Sequence, residues 1–177
     1  SVTEPEPTRD HTERMLRAFG YDVKTEGNRI SLQGGGKLVG TEIQVPSDIS
    51  SAAFFMVGAA ITEGSDVTLE AVGINPTRTG VIEILKQMGA DITVENERIA
   101  GGEPIADIRI QGTRTLKGIH MPEDQVPLAI DEFPALFIAA ACAEGRTVLT
   151  GAAELRVKES DRIQVMADGL KTMGIDC

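Results

Sequence analysis

The stretch "ELRVKESDR" (154–162) crowds acidic and basic side chains around a lysine and a serine, directly ahead of a segment with helical periodicity. Two readings compete: a solvated turn whose charges satisfy one another, or a clamp for an anion. Asp161 and Gln164 have capping-box spacing, which predicts a helix beginning near Ser160 or Asp161. Lys158 then lies just outside that helix and Arg162 in its first turn, where the helix dipole favours negative charge over positive. Free N–H groups at the terminus and two cations would converge on an anionic ligand, and such a ligand makes the arrangement favourable. Glu159, between them, would pair with Arg162 or serve as an acid/base group. Exposed ion pairs contribute little either way, so spacing alone leaves both readings open.

Two further stretches have the same character. In "PTRDHTERM" (7–15), Asp10 and Glu13 have capping-box spacing and Arg9 stands just ahead of them. Arg9 has a counterpart, Arg78, in "PTRTG" (76–80), so a duplicated structural role competes with an anion-binding one. His11, at an exposed helix start, reads as solvated. In "IDEFPALFIAAA" (130–141), Asp131 and Glu132 head an apolar helix with Pro134 in its first turn. An ordinary acidic N-terminus accounts for one carboxylate. The proximity of a buried helix predicts partial desolvation, which would raise a carboxyl pKa and make it a usable general base. "GGGKL" (34–38) lacks the Gly-x-x-x-x-Gly-Lys-Ser/Thr spacing and a following helix. It reads as part of a flexible connector between lobes, 33–44, and not as a phosphate loop.

The elements that must hold these residues come by repetition. "PTRDHTERMLRAFG" (7–20) aligns without a gap on "PTRTGVIEILKQMG" (76–89), and "IQVMADGLKTMG" (163–174) ends in the same way. Gly20, Gly89 and Gly174 are each followed by a variable residue and then Asp22, Asp91 or Asp176. Apolar residues recur at helical spacing in each copy, so three helices are expected, each stopping at its glycine. Hairpins are expected after the first two helices, with turns at 26–28 and 95–97. A second repeat aligns "FFMVGAAITEGSDVTL" (54–69) with "FIAAACAEGRTVLT" (137–150), predicting in both a buried helix, a tight Glu-Gly turn and a strand.

The resulting α/β unit is strand, helix, strand, helix, hairpin, with a period of roughly 70–85 residues. Its last copy stops at Cys177, where a third hairpin is due, so the chain is expected to be a piece of a longer protein. An unpaired sheet edge would then invite self-association by dimerisation or strand exchange. Apart from an enzyme, a non-catalytic repeat module offering a helix-lined surface to a partner fits this pattern.

Composition narrows the field. The 177 residues are 41% hydrophobic and 25% charged, as in a soluble globular protein. Aromatics make up only 3%, with no Trp, so the core must be built from Ala, Val, Ile, Leu and Met. A net charge of -10 argues against nucleic acid as a partner, because non-specific binding leaves a basic footprint. Any bound anion needs a local cluster of cations. No apolar run has the length of a membrane span and the first residues carry no signal pattern, so the expectation is a cytoplasmic protein with no membrane partner. Cys142, in an apolar run, and Cys177 form neither a disulfide framework nor metal-ligand spacing. Cys142 is expected to be a small core residue.

The motifs "LRVKESDR", "DEFPALFIAAA", "TRDHTERML", "VPSDISSAAFF" and "NPTRTG" together resemble those of the 5-enolpyruvylshikimate-3-phosphate synthase (3-phosphoshikimate 1-carboxyvinyltransferase) family. Their spelling is similar to its glyphosate-insensitive bacterial branch, and the resemblance runs along essentially the whole chain. The sister family acting on UDP-N-acetylglucosamine has similar repeats but lacks the Lys-Glu-Ser-Asp-Arg run. The resemblance implies an α/β prism of two lobes, each of three repeated units with helices inside and sheets outside. Residues 1–44 would end one lobe and 45–177 form about two units of the other, with a hinge near Pro46 to Asp48. It implies an enzyme of the shikimate pathway of aromatic amino acid biosynthesis, joining phosphoenolpyruvate to the 5-hydroxyl of shikimate 3-phosphate. By the same resemblance, Asp131 takes the hydroxyl proton, and Lys158 and, from the opposite lobe, Arg9 bind shikimate 3-phosphate. Arg162 holds the phosphate of phosphoenolpyruvate, Glu159 moves protons at the enol carbon, and Glu154 lies near the sugar. No cofactor or metal is implied. Further site residues of the family fall outside these 177 residues, so no turnover is expected of this chain alone.

Overall fold

The computed structural model describes residues 1–5, 8–112 and 115–177. Pro7, which opens the first repeat copy, lies outside the described residues. The three helices expected from the repeat are α1 (His11–Ala18), α3 (Gly80–Gln87) and α5 (Arg162–Thr172). All three end in one hydrogen-bonding pattern. Tyr21 N donates to Leu16 O, Ala90 N to Leu85 O and Ile175 N to Leu170 O, at 2.9, 2.9 and 3.0 Å. The glycine before each, Gly20, Gly89 or Gly174, sits at φ +79°, +94° or +84° and bonds one turn back. This is the Schellman stop, which needs a left-handed residue and therefore favours glycine.

The helix starts differ. Asp161 caps α5, accepting from Gln164 N at 2.9 Å, as the spacing predicts. Asp48 caps α2 (Ile49–Ile61), accepting from the N–H groups of Ser50 and Ser51 at 3.3 and 2.9 Å. Asp10 does not cap α1, contrary to expectation. Its carboxylate accepts instead from Arg14 Nε at 2.8 Å and from Asn75 Nδ2 at 2.7 Å, so a tertiary partner has replaced the local N–H.

One antiparallel sheet joins β1 (Val2–Thr3), β2 (Val23–Glu26) and β3 (Arg29–Leu32) in the order β1-β3-β2, with its β2–β3 turn where the sequence predicts it. The other joins β4 (Asp66–Gly73), β5 (Asp91–Ala100) and β6 (Glu103–Gln111) in the order β4-β6-β5. Here the expected turn at 95–97 is wrong. The chain reverses at Gly101 and Gly102, at φ +59° and +89°, while 95–98 forms a bulge with Asn96 at φ +53°. Two consecutive glycines meet the positive φ values of a tight hairpin without strain, so they set the register and the polar stretch is absorbed as the bulge. The strand expected at 147–150 is reduced, among the described residues, to a single parallel bridge between His120 and Val148.

Helices α2 and α3 pack on β4-β6-β5, and α4 (Phe133–Ala141) packs in turn on α2 and α3. Met56, Val81, Ile84, Leu85, Phe133 and Leu136 share one buried hydrophobic cluster with Ile108 and Ile110 of β6. Contrary to expectation, helix α2 is not buried all round: Phe54 and Phe55 are 66% and 65% exposed on its outer side. Cys142 caps the end of α4 and is exposed, not in the core; it and Cys177 are free thiols. The connector at 33–44 has no regular structure, but Tyr21 pins its start. The Tyr21 hydroxyl donates to Gln33 O at 2.6 Å and accepts from Gly36 N at 3.1 Å. Among the described residues, no helix is long and apolar enough to cross a membrane.

Gly80 permits a close approach that places Asp131. A Cβ at this position would lie 2.8 Å from Gln125 O and 3.0 Å from the Ala129 Cβ. Glycine lets the two short turns Glu123–Gln125 and Pro127–Ala129 close onto the start of α3, and that segment delivers Asp131.

Candidate active site

Asp131 precedes the first turn of α4, and two arginines from distant segments converge on it. Arg9, ahead of α1, donates from Nη2 to Asp131 Oδ2. Arg162, the first residue of α5, donates from Nη1 to Asp131 Oδ1 at 3.1 Å and from Nη2 to Glu159 Oε2 at 2.7 Å. Lys158 donates to Glu154 Oε1. Helix α4 packs on α5, which sets the first two carboxylates and Arg162 side by side. A cleft of about 430 Å³ is lined by Arg9, Asp131, Lys158, Glu159 and Arg162, the five site residues expected from sequence, together with Glu154. His11 is not among its lining residues and pairs with Glu103 at 2.8 Å.

The two readings of "ELRVKESDR" therefore both describe part of the arrangement. Within the stretch the charges are self-paired: Lys158 with Glu154, Arg156 with Asp161 at 3.0 Å, and Arg162 with Glu159. The pairs from Asp131 to Arg9 and Arg162, however, span 122 and 31 residues of sequence, which a solvated turn does not require. Each clamp cation already holds a carboxylate, so an incoming anion must exchange for it.

Burial is the largest influence on Asp131 and acts to raise its pKa, but hydrogen bonds and charge from Arg9 and Arg162 outweigh it. The carboxyl ends below the usual range, which overturns the expectation that desolvation would raise it. Glu159 is also lowered, first by its own backbone N–H and then by Arg162. Arg162 is raised by hydrogen bonds to Glu159 and Asp131. In this state both carboxylates are ionised acceptors.

Sequence reasoning placed Glu132 at an acidic helix start but missed its burial and its partners. Its side chain is 1% exposed, accepts from Ser50 Oγ at 2.5 Å, and lies 3.3 Å from Arg78 Nη2. Arg78 also donates to Ser50 Oγ at 2.7 Å. The available signal was the repeat itself: Arg9 and Arg78 are matched positions, and they grip the consecutive carboxylates Asp131 and Glu132. One copy faces the cleft; the other, with a side chain only 15% exposed, is structural. Among the described residues, no group of three or more His, Cys, Asp or Glu side chains is arranged to hold a metal ion.

Comparison with known proteins points in one direction. The family profile of EPSP synthase (3-phosphoshikimate 1-carboxyvinyltransferase) matches residues 1–177. The chain is 73% identical over 175 residues to the 3-phosphoshikimate 1-carboxyvinyltransferase of Methylococcus capsulatus, covering 99% of this chain and 40% of that protein. It is 70% identical over 174 residues to the enzyme of the same name from Alkalilimnicola ehrlichii, covering 98% of this chain and 39% of that one. The chain thus spans about two fifths of the length of these relatives. A solved EPSP synthase from Acinetobacter baumannii superposes with a TM-score of 0.97 at 94% identity, over 99% of this chain and 40% of the other. A second, from the same organism, gives 0.94 at 91% identity, over 99% and 39%. The α/β prism architecture expected from the motifs is the fold of these neighbours. With a profile match from end to end and near-superposable solved structures, the chain belongs to the EPSP synthase family.

Proposed function

We propose that this chain carries part of the active site of a 3-phosphoshikimate 1-carboxyvinyltransferase, a cytoplasmic enzyme of aromatic amino acid biosynthesis. The observation that carries the reading is the cleft in which Arg9 meets Asp131, Lys158, Glu159 and Arg162. In the proposed division, residues 1–44 end one lobe and 45–177 belong to the other, so the substrates lie between lobes. The reaction adds the 5-hydroxyl oxygen of shikimate 3-phosphate to C2 of phosphoenolpyruvate while a proton is delivered to C3. The tetrahedral intermediate then loses a proton from C3 and breaks its bond to phosphate, giving the enol ether and inorganic phosphate. Such a course needs cations for two phosphates and a carboxylate, and groups for two proton transfers. No cofactor enters it.

Lys158 and Arg9 bind shikimate 3-phosphate, and Arg162 the phosphate of phosphoenolpyruvate. Asp131 accepts the hydroxyl proton, and Glu159 gives and regains the proton at C3. The ion pairs give this assignment a physical logic. Arg9 and Arg162 hold the Asp131 pKa down; when anionic substrates draw the guanidiniums away, burial acts unopposed and Asp131 becomes a stronger base.

Calorimetric titration of the chain with shikimate 3-phosphate at low and moderate salt tests the reading. Weak binding that is salt-sensitive and lost in Asp131→Ala and Lys158→Ala is expected. Absence of heat, or binding that survives both substitutions, would refute it for this chain.

A further inference from the structure

The turn 75–78 touches both halves of the pair that crosses the cleft, one residue removed from each. Asn75 is 2% exposed. Its Nδ2 donates to Asp10 Oδ1 at 2.7 Å and Glu103 Oε2 at 3.1 Å, and its Oδ1 accepts from Thr77 N and Thr77 Oγ1 at 2.9 and 2.8 Å. Asp10 is the neighbour of Arg9. Three residues along, Arg78 holds Glu132, the neighbour of Asp131. Arg78 N closes the turn on Asn75 O at 2.8 Å, so the two anchors are tied by one short backbone bridge.

We propose that Asn75 and Arg78 are positioning residues, a brace that registers Arg9, just ahead of α1, against Asp131, just ahead of α4. A flexible arginine placed by its own rotamers alone would sample many geometries, and immobilising it carries an entropic cost. Holding the side chains of Asp10 and Glu132 sets the separation of Arg9 from Asp131, so that more of the arginine's rotamers reach the carboxylate before any ligand arrives. Asn75 suits the task because it presents donors to two carboxylates while its acceptor is satisfied within the turn. Contact with Glu103, at the start of β6, sets the amide further, and His11 Nδ1 meets the same carboxylate at 2.8 Å. The inference concerns geometry and stands independently of the proposed reaction.

The test follows the titration of Asp131 by carboxyl-carbon NMR in the 177-residue chain. Arg9→Ala should raise the Asp131 midpoint, by about one unit or more for loss of an adjacent opposite charge. Asn75→Ala and Asp10→Ala should raise it toward the same value, and Asn75→Ala combined with Arg9→Ala should add nothing further. Asn75→Asp keeps the shape but faces Asp10 and Glu103 with a third carboxylate, so its effect should be at least as large. Asp66, at the start of β4, held by Arg109 at 2.8 and 2.6 Å and out of contact with Asp131, serves as the internal control and should keep its midpoint. A wild-type Asp131 midpoint in the folded brace variants, or shifts that add to that of Arg9→Ala, would overturn the proposal. If Asn75→Ala does not fold, Asp10→Ala, altered on a partly exposed side chain, decides the matter alone.

Discussion

Replacing Glu132 by Ala removes the acidic half of a buried pair and leaves the Arg78 guanidinium with Ser50 and, at 3.7 Å, Asp48. Arg78 Nε is already buried without a partner among the described residues, so the guanidinium has little left to compensate it. Breaking such a pair from one side costs about 3–5 kcal/mol. Asp48 takes up part of the charge and Arg78 is 15% exposed, which sets the expected loss at the lower end, about 3 kcal/mol. At about 2–4 °C per kcal/mol for a chain of this size, Tm should fall by roughly 6–12 °C. Urea unfolding should give a lower midpoint with an unchanged slope, because the native surface is not altered. Glu132→Gln keeps an acceptor for Ser50 and should lose less, about 1–2 kcal/mol. Combining Arg78→Ala with Glu132→Ala should cost less than the sum of the two, since the second substitution removes the charge that the first had stranded. A loss below about 1 kcal/mol for Glu132→Ala, or strict additivity in the double variant, would refute the claim that this pair organises the segment behind Asp131.

Acid stability should follow Asp10, Asp48 and Asp131, whose pKa values are all lowered on folding. A depressed folded pKa contributes stability above the unfolded value, about 3.9, that is lost as pH falls through the folded one. The urea midpoint should therefore hold near neutrality and decline below about pH 5, and Asp131→Asn should flatten the decline; a wild-type midpoint constant to about pH 3 would contradict this. Two glycine substitutions should act with opposite signs in thermal melts. Gly80→Ala should destabilise by about 1–3 kcal/mol through the clash with 125–129, whereas Gly169→Ala, inside α5 with nothing within 4 Å, should stabilise by about 0.5–1 kcal/mol. Phe54→Ser with Phe55→Ser should reduce concentration-dependent association in sedimentation velocity; equal association of both proteins would move the contact to the sheet edges or elsewhere. No phosphate release should be detected when the chain alone is mixed with both proposed substrates, and turnover at a rate typical of an enzyme would contradict the view that the clamp needs further residues.

Much of this molecule could be read from local patterns. The glycine stops, the cap at Asp161 and the helical repeats rest on contacts within a few residues, whose geometry backbone sterics and hydrogen bonding dictate whatever packs nearby. The motifs around Arg9, Asp131 and Lys158 singled out side chains that the cleft brings together. Where a residue has two possible partners, only the tertiary structure chooses. Asp10 forsakes its local N–H groups for Asn75, 65 residues away, and glycines at 101–102 displace the turn expected at 95–97. The same holds for sign. A carboxylate beside a buried helix invites a raised pKa, yet Asp131 is lowered, because two arginines arrive from chain segments 122 and 31 residues distant. Burial likewise separates Asp131 from its neighbour Glu132, and Arg9 from its repeat partner Arg78. Local sequence determines which hydrogen bonds and turns are available; electrostatics and desolvation depend on what lies within a few ångströms in space, and that is decided only when distant elements pack.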